Sequence, residues 1–184
     1  MISAERAEAA TIRTLQKSGP LDRFFPSRRR SVTVEAVRTA YFPYWIAAVD
    51  HEISLTGGHF GMIVALDGLG GEAGIAFGCP DFSNRPPAGA CVVANRFPED
   101  EARRRLYEYA RVQYSRKRKV LPRTTLVRLE SVAMPYYVVK ARVVASGRSY
   151  AVTRFIDGET GVPVYRYDGM KGDLAGYPDL AAVI

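Results

Sequence analysis

Ala40-Tyr41-Phe42-Pro43-Tyr44-Trp45-Ile46 returns later in the chain as Val132-Ala133-Met134-Pro135-Tyr136-Tyr137-Val138. Ala65-Leu66-Asp67-Gly68-Leu69-Gly70-Gly71 returns as Phe155-Ile156-Asp157-Gly158-Glu159-Thr160-Gly161. Pro43 and Pro135 stand 92 residues apart, and Asp67 and Asp157 stand 90 apart. Repetition at a nearly constant offset organises a fold more firmly than any single residue does. It predicts two similar halves and discloses no chemistry by itself.

Outward from these motifs, the same order of elements is read on both sides. Residues 3–17 predict a helix: Ser3 can cap it, Glu5 sits in the first turn, and Ala9, Ile12 and Leu15 fall at helical spacing. Ser18-Gly19-Pro20 ends it. From Val32 the pattern is extended, with Val32 and Val34 alternating with Thr33 and Glu35. Pro43 lacks an amide hydrogen, so an edge position or a bulge is expected there. Thr56-Gly57-Gly58 predicts a hairpin turn, 60–66 a return strand, and 74–77 a third short strand.

Pro98 suits the start of a second helix, with Glu99, Asp100 and Glu101 where the helix dipole favours anions. Ala102, Leu106, Tyr109 and Ala110 form its apolar stripe, and Arg116-Lys117-Arg118-Lys119 closes it before Pro122. Val127 and Leu129 then alternate with Arg128 and Glu130, and Val139, Ala141 and Val143 with Lys140 and Arg142. Ser146-Gly147-Arg148 turns the chain, 150–156 runs back, and 162–167 predicts a last strand.

The fold expected is α+β: two repeated helix-plus-antiparallel-β-meander halves, with the helices packed on one face of curled sheet. Residues 1–78 form the first αβββ repeat, 79–98 a linker loop holding Pro, Gly and Cys, 99–168 the second repeat, and 169–184 a tail that can dock or fray.

The composition of the 184 residues is 47% apolar, which argues for a packed interior and against a disordered chain. No stretch reaches the ~18–20 uninterrupted apolar residues of a membrane span. The first residues lack a basic region followed by an apolar core, so no signal peptide is read and a cytoplasmic location is expected. Cys79 and Cys91 are expected as reduced thiols, with a local disulfide as the alternative. Neither has ligand-like spacing to the two histidines, His51 and His59, so no metal site and no cofactor are expected. The net charge of +7 attracts nucleic acid, anionic lipid or acidic proteins without choosing among them.

Asp67 and Asp157 have a sufficient structural role: the carboxylate bonds nearby backbone amides, and Gly68 and Gly158 supply the positive φ of a tight turn. Tyr44 and Trp45, like Tyr136 and Tyr137, point to opposite faces of a strand. One of each pair can enter the core, and the other can serve an aromatic binding surface.

The order resembles PepSY-like domains, within the wider cystatin-like set of a helix on a curled antiparallel sheet. The resemblance rests on Tyr136-Tyr137-Val138-Val139, Tyr150-Ala151-Val152 and Phe155-Ile156-Asp157-Gly158-Glu159-Thr160-Gly161-Val162. In such domains an aspartate-rich turn ending in Thr-Gly joins the last two strands. The likeness covers 99–168 and, more faintly, 3–77, where Leu69-Gly70-Gly71 stands in place of Glu-Thr-Gly. It implies a non-catalytic protein that binds or restrains peptidases and other proteins.

Three functions follow as expectations. The first is a non-catalytic binding or regulatory protein contacting a protein or peptide through sheet edges, aromatic strands or the 78–98 loop. The second is nucleic-acid binding through Arg28, Arg29 and Arg30 together with Arg116, Lys117, Arg118 and Lys119, with Tyr107, Tyr109 and Tyr114 available for stacking. The third is a small-molecule binder or enzyme with a pocket between helix and sheet. Its candidates are Asp50, His51, Glu52 and His59, which sit near one another across the Thr56-Gly57-Gly58 turn without the histidines facing directly. An exposed polar strand end is the simpler reading of those four. The oligomeric state is left open.

Overall fold

A computed structural model of the chain describes residues 1–16, 30–53, 57–76, 86–119, 121–145, 147–181 and 183–184. The elements are α1 (Ala4–Gln16), β1 (Ser31–Ile53), β2 (Gly58–Asp67), β3 (Ala73–Ile75), β4 (Cys91–Val92), α2 (Glu99–Arg118), β5 (Arg123–Ala145), β6 (Arg148–Asp157) and β7 (Pro163–Val164). A 3-10 turn (Asp168–Met170) and two short helices, α3 (Lys171–Leu174) and α4 (Pro178–Ala181), complete the chain. The protein is therefore α+β with antiparallel hairpins, as the sequence predicts. Among the described residues, no helix is long and apolar enough to cross a membrane.

Two compact units emerge, and neither is a continuous stretch. The first gathers Met1–Tyr41, Ala88–Val93 and Pro135–Ile184; the second gathers Phe42–Pro87 and Ala94–Met134. The strands β1 and β5, each 23 residues long, contribute one portion to each unit. Glu35 bonds Arg142 in the first unit and His51 bonds Thr124 in the second, so numbering rises along β1 as it falls along β5 and the two run antiparallel.

In the first unit the strand order is β1-β5-β6-β7, with β4 lying parallel to β1 at Ala40 and Tyr41. Ala7 and Leu15 of α1 pack on Tyr137, Val139, Ala141, Val143 and Ile156. The helix thus settles on the hairpin from the far end of the chain. Its buried stripe is Ala7, Thr11 and Leu15, whereas Ala9 of the predicted stripe faces solvent. Thr11 is tolerated inside because its hydroxyl donates to the Ala7 carbonyl at 3.0 Å. The C-terminal segment docks: Tyr167, Leu174, Leu180 and Val183 are all buried. Tyr167 meets Tyr136 and Phe155 edge-on at 5.5 and 5.7 Å, and the Thr153 hydroxyl donates to the Val183 carbonyl at 2.8 Å. The predicted last strand, 162–167, is cut to the two residues of β7 because the chain turns at Arg166 and Tyr167 to begin that segment.

In the second unit the order is β3-β2-β1-β5. Ala102, Leu106 and Ala110 of α2 pack on Ala47, Val49, Val64 and Leu66, with Leu126 and Leu129 of β5 at the side. Tyr114 extends that stripe by one more turn, and Lys119 ends the helix with a left-handed φ of 57° and an amide bond back to Ser115.

Both long strands depart from strict alternation. Val32, Val34 and Val37 share the face that meets α1, and Leu126 and Leu129 share the face that meets α2. Three-residue spacing on one face requires one residue too many, which is a β-bulge. Val127 is consequently 66% exposed, correcting the expected inward pairing of Val127 with Leu129.

The two Asp-Gly turns take one form. Asp67 Oδ1 accepts from the amides of Leu69 and Gly70 at 2.9 and 3.3 Å, and Asp157 Oδ1 from those of Glu159 and Thr160 at 2.9 and 2.7 Å. The positive φ, however, falls at Gly71 (72°) and Gly161 (74°). Gly68 and Gly158 are required for a different reason: a Cβ there would lie 2.7 Å from the Pro43 carbonyl oxygen and 2.6 Å from that of Pro135. Those carbonyls accept the Gly68 and Gly158 amides at 2.8 Å each. Both prolines therefore sit just where the hairpin ladders end, at Tyr44↔Asp67 and Tyr136↔Asp157. No ladder amide is lost there, so the prolines are accommodated in strands that have neighbours on both sides.

Candidate functional site

The strongest candidate site lies within the second unit. The register of the first hairpin sets His51 opposite Phe60 and Glu52 opposite His59, so the two histidines do not face each other, as expected. Alternation sends His51 and its cross-strand partner to the α2 face. There the His51 ring is fully buried, contrary to the exposed strand end read from sequence. It lies 4.6 Å from the Tyr114 ring, and Phe60 lies 5.8 Å from the same tyrosine.

Both ring nitrogens of His51 are engaged. Nδ1 is 3.0 Å from Thr124 Oγ1 and Nε2 is 3.3 Å from Met62 Sδ. A thioether sulfur can only accept, so Nε2 carries the proton and Nδ1 accepts from the Thr124 hydroxyl. Burial pushes the imidazole pKa down, and the nearby Asp50 carboxylate opposes this only in part. His51 is thus a neutral, fixed side chain with no lone pair left over for acid–base work.

In front of Met62 and Tyr114 lies a pocket of about 350 Å³, lined by Phe60, Met62, Ile75, Gln113, Tyr114, Lys117 and Arg118. Its floor comes from β2, β3 and the last buried turn of α2, and it is apolar. Its polar groups come from the final turns of α2. The volume falls within the ~300–1,000 Å³ typical of small-molecule sites. Phe60, 40% exposed, remains accessible at its edge.

No protein-family model, curated protein or solved structure matches the chain.

The other predicted residues fall in different places. His59 is exposed and bonds Asp50 Oδ2 at 2.7 Å, which raises its pKa through that hydrogen bond and the carboxylate charge. Glu52 lies 3.9 Å from Arg123 at the strand end. Neither lines the pocket. Tyr136 and Tyr137 are both buried, so neither supplies the exposed aromatic surface that was expected.

Trp45 and Tyr137 perform a structural task instead. The Trp45 indole donates to the Phe97 carbonyl at 2.9 Å, and the Tyr137 hydroxyl donates to the Ile2 carbonyl at 2.5 Å. Phe97 precedes the α2 cap residue Pro98, and Ile2 precedes Ser3, whose hydroxyl accepts the Arg6 amide at the start of α1. Each aromatic therefore hooks the chain one residue before a helix cap, at Phe97 before Pro98 and at Ile2 before Ser3. Tyr44 is half-buried. Tyr136 stacks edge-on with Tyr167, and its hydroxyl accepts from Arg166 at 3.3 Å.

Of the basic residues, Arg116, Lys117, Arg118 and Lys119 are exposed, and Arg30 is exposed just before β1. Arg28 and Arg29 lie outside the described residues, as does Cys79. Cys91 is a buried free thiol whose pKa burial raises, with a smaller contribution from Asp179. No cluster of three metal-ligating side chains occurs among the described residues.

Sequence reasoning singled out His51 but missed Phe60, Met62, Ile75 and Thr124, which come together only through strand register. Tyr114, expected as a stacking group for nucleic acid, is buried instead, continuing the Ala102, Leu106, Ala110 spacing by four residues.

Proposed function

We propose that the protein is a non-catalytic binding protein built from a duplicated helix-on-meander unit, and that its recognition site is the pocket beneath the end of α2. The duplication is supported by matching details: two 23-residue strands, two ten-residue return strands, and Tyr–Asp pairs that open both ladders. With those pairs aligned, His51↔Phe60 corresponds to Val143↔Tyr150, seven residues along each hairpin. In the first unit, Val143 packs with the apolar side chains Leu15, Val32 and Val152. At the matching positions of the second unit stand His51, Thr124 and Met62. This departure from an apolar cluster is the observation that carries the proposal. His51 is buried with its ring engaged by Thr124 and Met62, and Met62 lines the pocket, which favours a role for the ring in shaping that pocket.

The PepSY-like resemblance agrees with a binding role. Of the occupants expected from sequence, the pocket's size and its side-chain lining favour a small molecule over an added β-strand. A neutral solvatochromic dye such as Nile red tests this. Its fluorescence should rise and saturate with the unaltered protein, and Phe60→Ser should weaken the binding several-fold while leaving the far-UV circular dichroism unchanged. Absence of saturable binding to the folded protein would sink the reading.

A further inference from the structure

The charges of α2 are arranged unequally along its length. Near its start, Arg103, Arg104 and Arg105 pair with Glu99, Glu108 and Glu101 at 2.9, 3.5 and 2.6 Å. Lys117 and Arg118, at its end, carry no ion pair among the described residues, and both line the pocket. The last turn of a helix favours cations through its dipole. That accounts for positive residues in the turn, but it does not require two of them to border an apolar cavity. A cation beside an apolar floor matches a ligand with two ends. The floor of Phe60, Met62, Ile75 and Tyr114 offers no ionic group, while Lys117, Arg118 and Gln113 offer donors at one side.

Resting on the pocket reading above, we propose that the ligand is an amphipathic carboxylate: an apolar chain or ring lying on Phe60, Met62, Ile75 and Tyr114, with its anionic head held by Lys117 and Arg118. A guanidinium can engage both carboxylate oxygens at once, and charge-assisted bonds of this kind are the stronger class. His51 takes no part in charge recognition. Neutral and fully bonded, it holds Met62 and Tyr114 in place behind the apolar part of the ligand.

The test compares decanoate with decanol, which has the same chain length and no charge, by calorimetric titration of the full chain at low ionic strength. Decanoate should bind saturably at one site and at least tenfold more tightly than decanol, with backbone NMR shifts concentrated at Phe60, Ile75 and Tyr114. K117Q/R118Q should lose tenfold or more for decanoate while leaving decanol unchanged, and Arg111→Gln, elsewhere on the exposed helix surface, should change neither. The comparison of the two probes uses the unaltered protein and so does not depend on how any variant folds. Equal binding of decanoate and decanol would overturn the anionic head and leave the pocket reading standing. No binding of either, with no shifts at the pocket, would overturn both. Binding to phosphatidylglycerol vesicles without binding to dispersed decanoate would overturn the free carboxylate in favour of a membrane surface.

Discussion

A single backbone approach decides two glycines. At Gly158 a Cβ would sit 2.6 Å from the Pro135 carbonyl oxygen, and at Gly68 2.7 Å from that of Pro43, closer than van der Waals contact allows. Gly158→Ala and Gly68→Ala should each destabilise the fold by roughly 2–3 kcal/mol. Gly74→Ala, where nothing lies within 4 Å, should stay within about 0.5 kcal/mol. Urea midpoints of the three variants check this; equal midpoints would remove the steric account. The Asp-Gly pairs were legible in sequence because the aspartate role is local. The glycine role was assigned to the wrong cause because the clash involves a carbonyl more than twenty residues away.

His51 also carries its consequence at this scale. Above pH ~6.5 it is neutral in the folded and the unfolded chain. As pH falls below that value, the unfolded chain takes up a proton that the buried ring refuses until its own lowered pKa is reached. Stability therefore declines from ~6.5 down through the lowered folded value and levels off beneath it. His59 acts in the opposite sense: its pairing with Asp50 contributes below ~6.5 and is lost as pH rises through the raised folded value. Its ring is largely exposed, so water screens that contribution and the histidine signal is dominated by His51. Denaturant midpoints between pH 7.5 and 5 should fall for the unaltered protein and fall less for His51→Leu. Parallel profiles would mean that the ring is not held neutral.

At the scale of elements, helix and strand were legible wherever a period held, and misread where the period slipped. The second helix announced itself through acidic residues at one end, basic residues at the other and Ala102, Leu106 and Ala110 between them. The bulges had no such sign, because an extra residue in a strand changes the phase of the pattern and not its composition. Val127 was read as inward for that reason. The structure instead places Leu126 and Leu129 against α2 and leaves Val127 outside. Val127→Lys should thus cost less than about 0.5 kcal/mol, and Leu129→Lys about 2 kcal/mol or more, since it carries a charge into apolar packing. Thermal melts that ranked the two the other way would restore the unbroken strand. The pocket was obscured by a different limit: the turn read at Thr56-Gly57-Gly58 hinted at the register near His51, but nothing local shows that α2 closes over Phe60 and Met62.

For the whole molecule, the order of elements was readable but the partnership of helices with strands was not. An apolar stripe shows that a helix needs a covering surface, and any meander of suitable shape satisfies it. Here α1 packs on Tyr137, Val139 and Ile156, while α2 packs on Val49, Val64 and Leu66. Each compact unit consequently draws on both halves of the chain. Cutting between residues 98 and 99 leaves α1 without its hairpin and α2 without its own. Fragments 1–98 and 99–184 should then each lack a cooperative unfolding transition, because each would have to leave a helix face and a sheet face uncovered. Mixed in equal amounts, they should form a one-to-one complex and recover the circular dichroism of the intact chain. If 99–184 alone melted cooperatively as a monomer, α2 would be able to close on β5 and β6. The exchange of helices would then be one packing among several that the sequence permits.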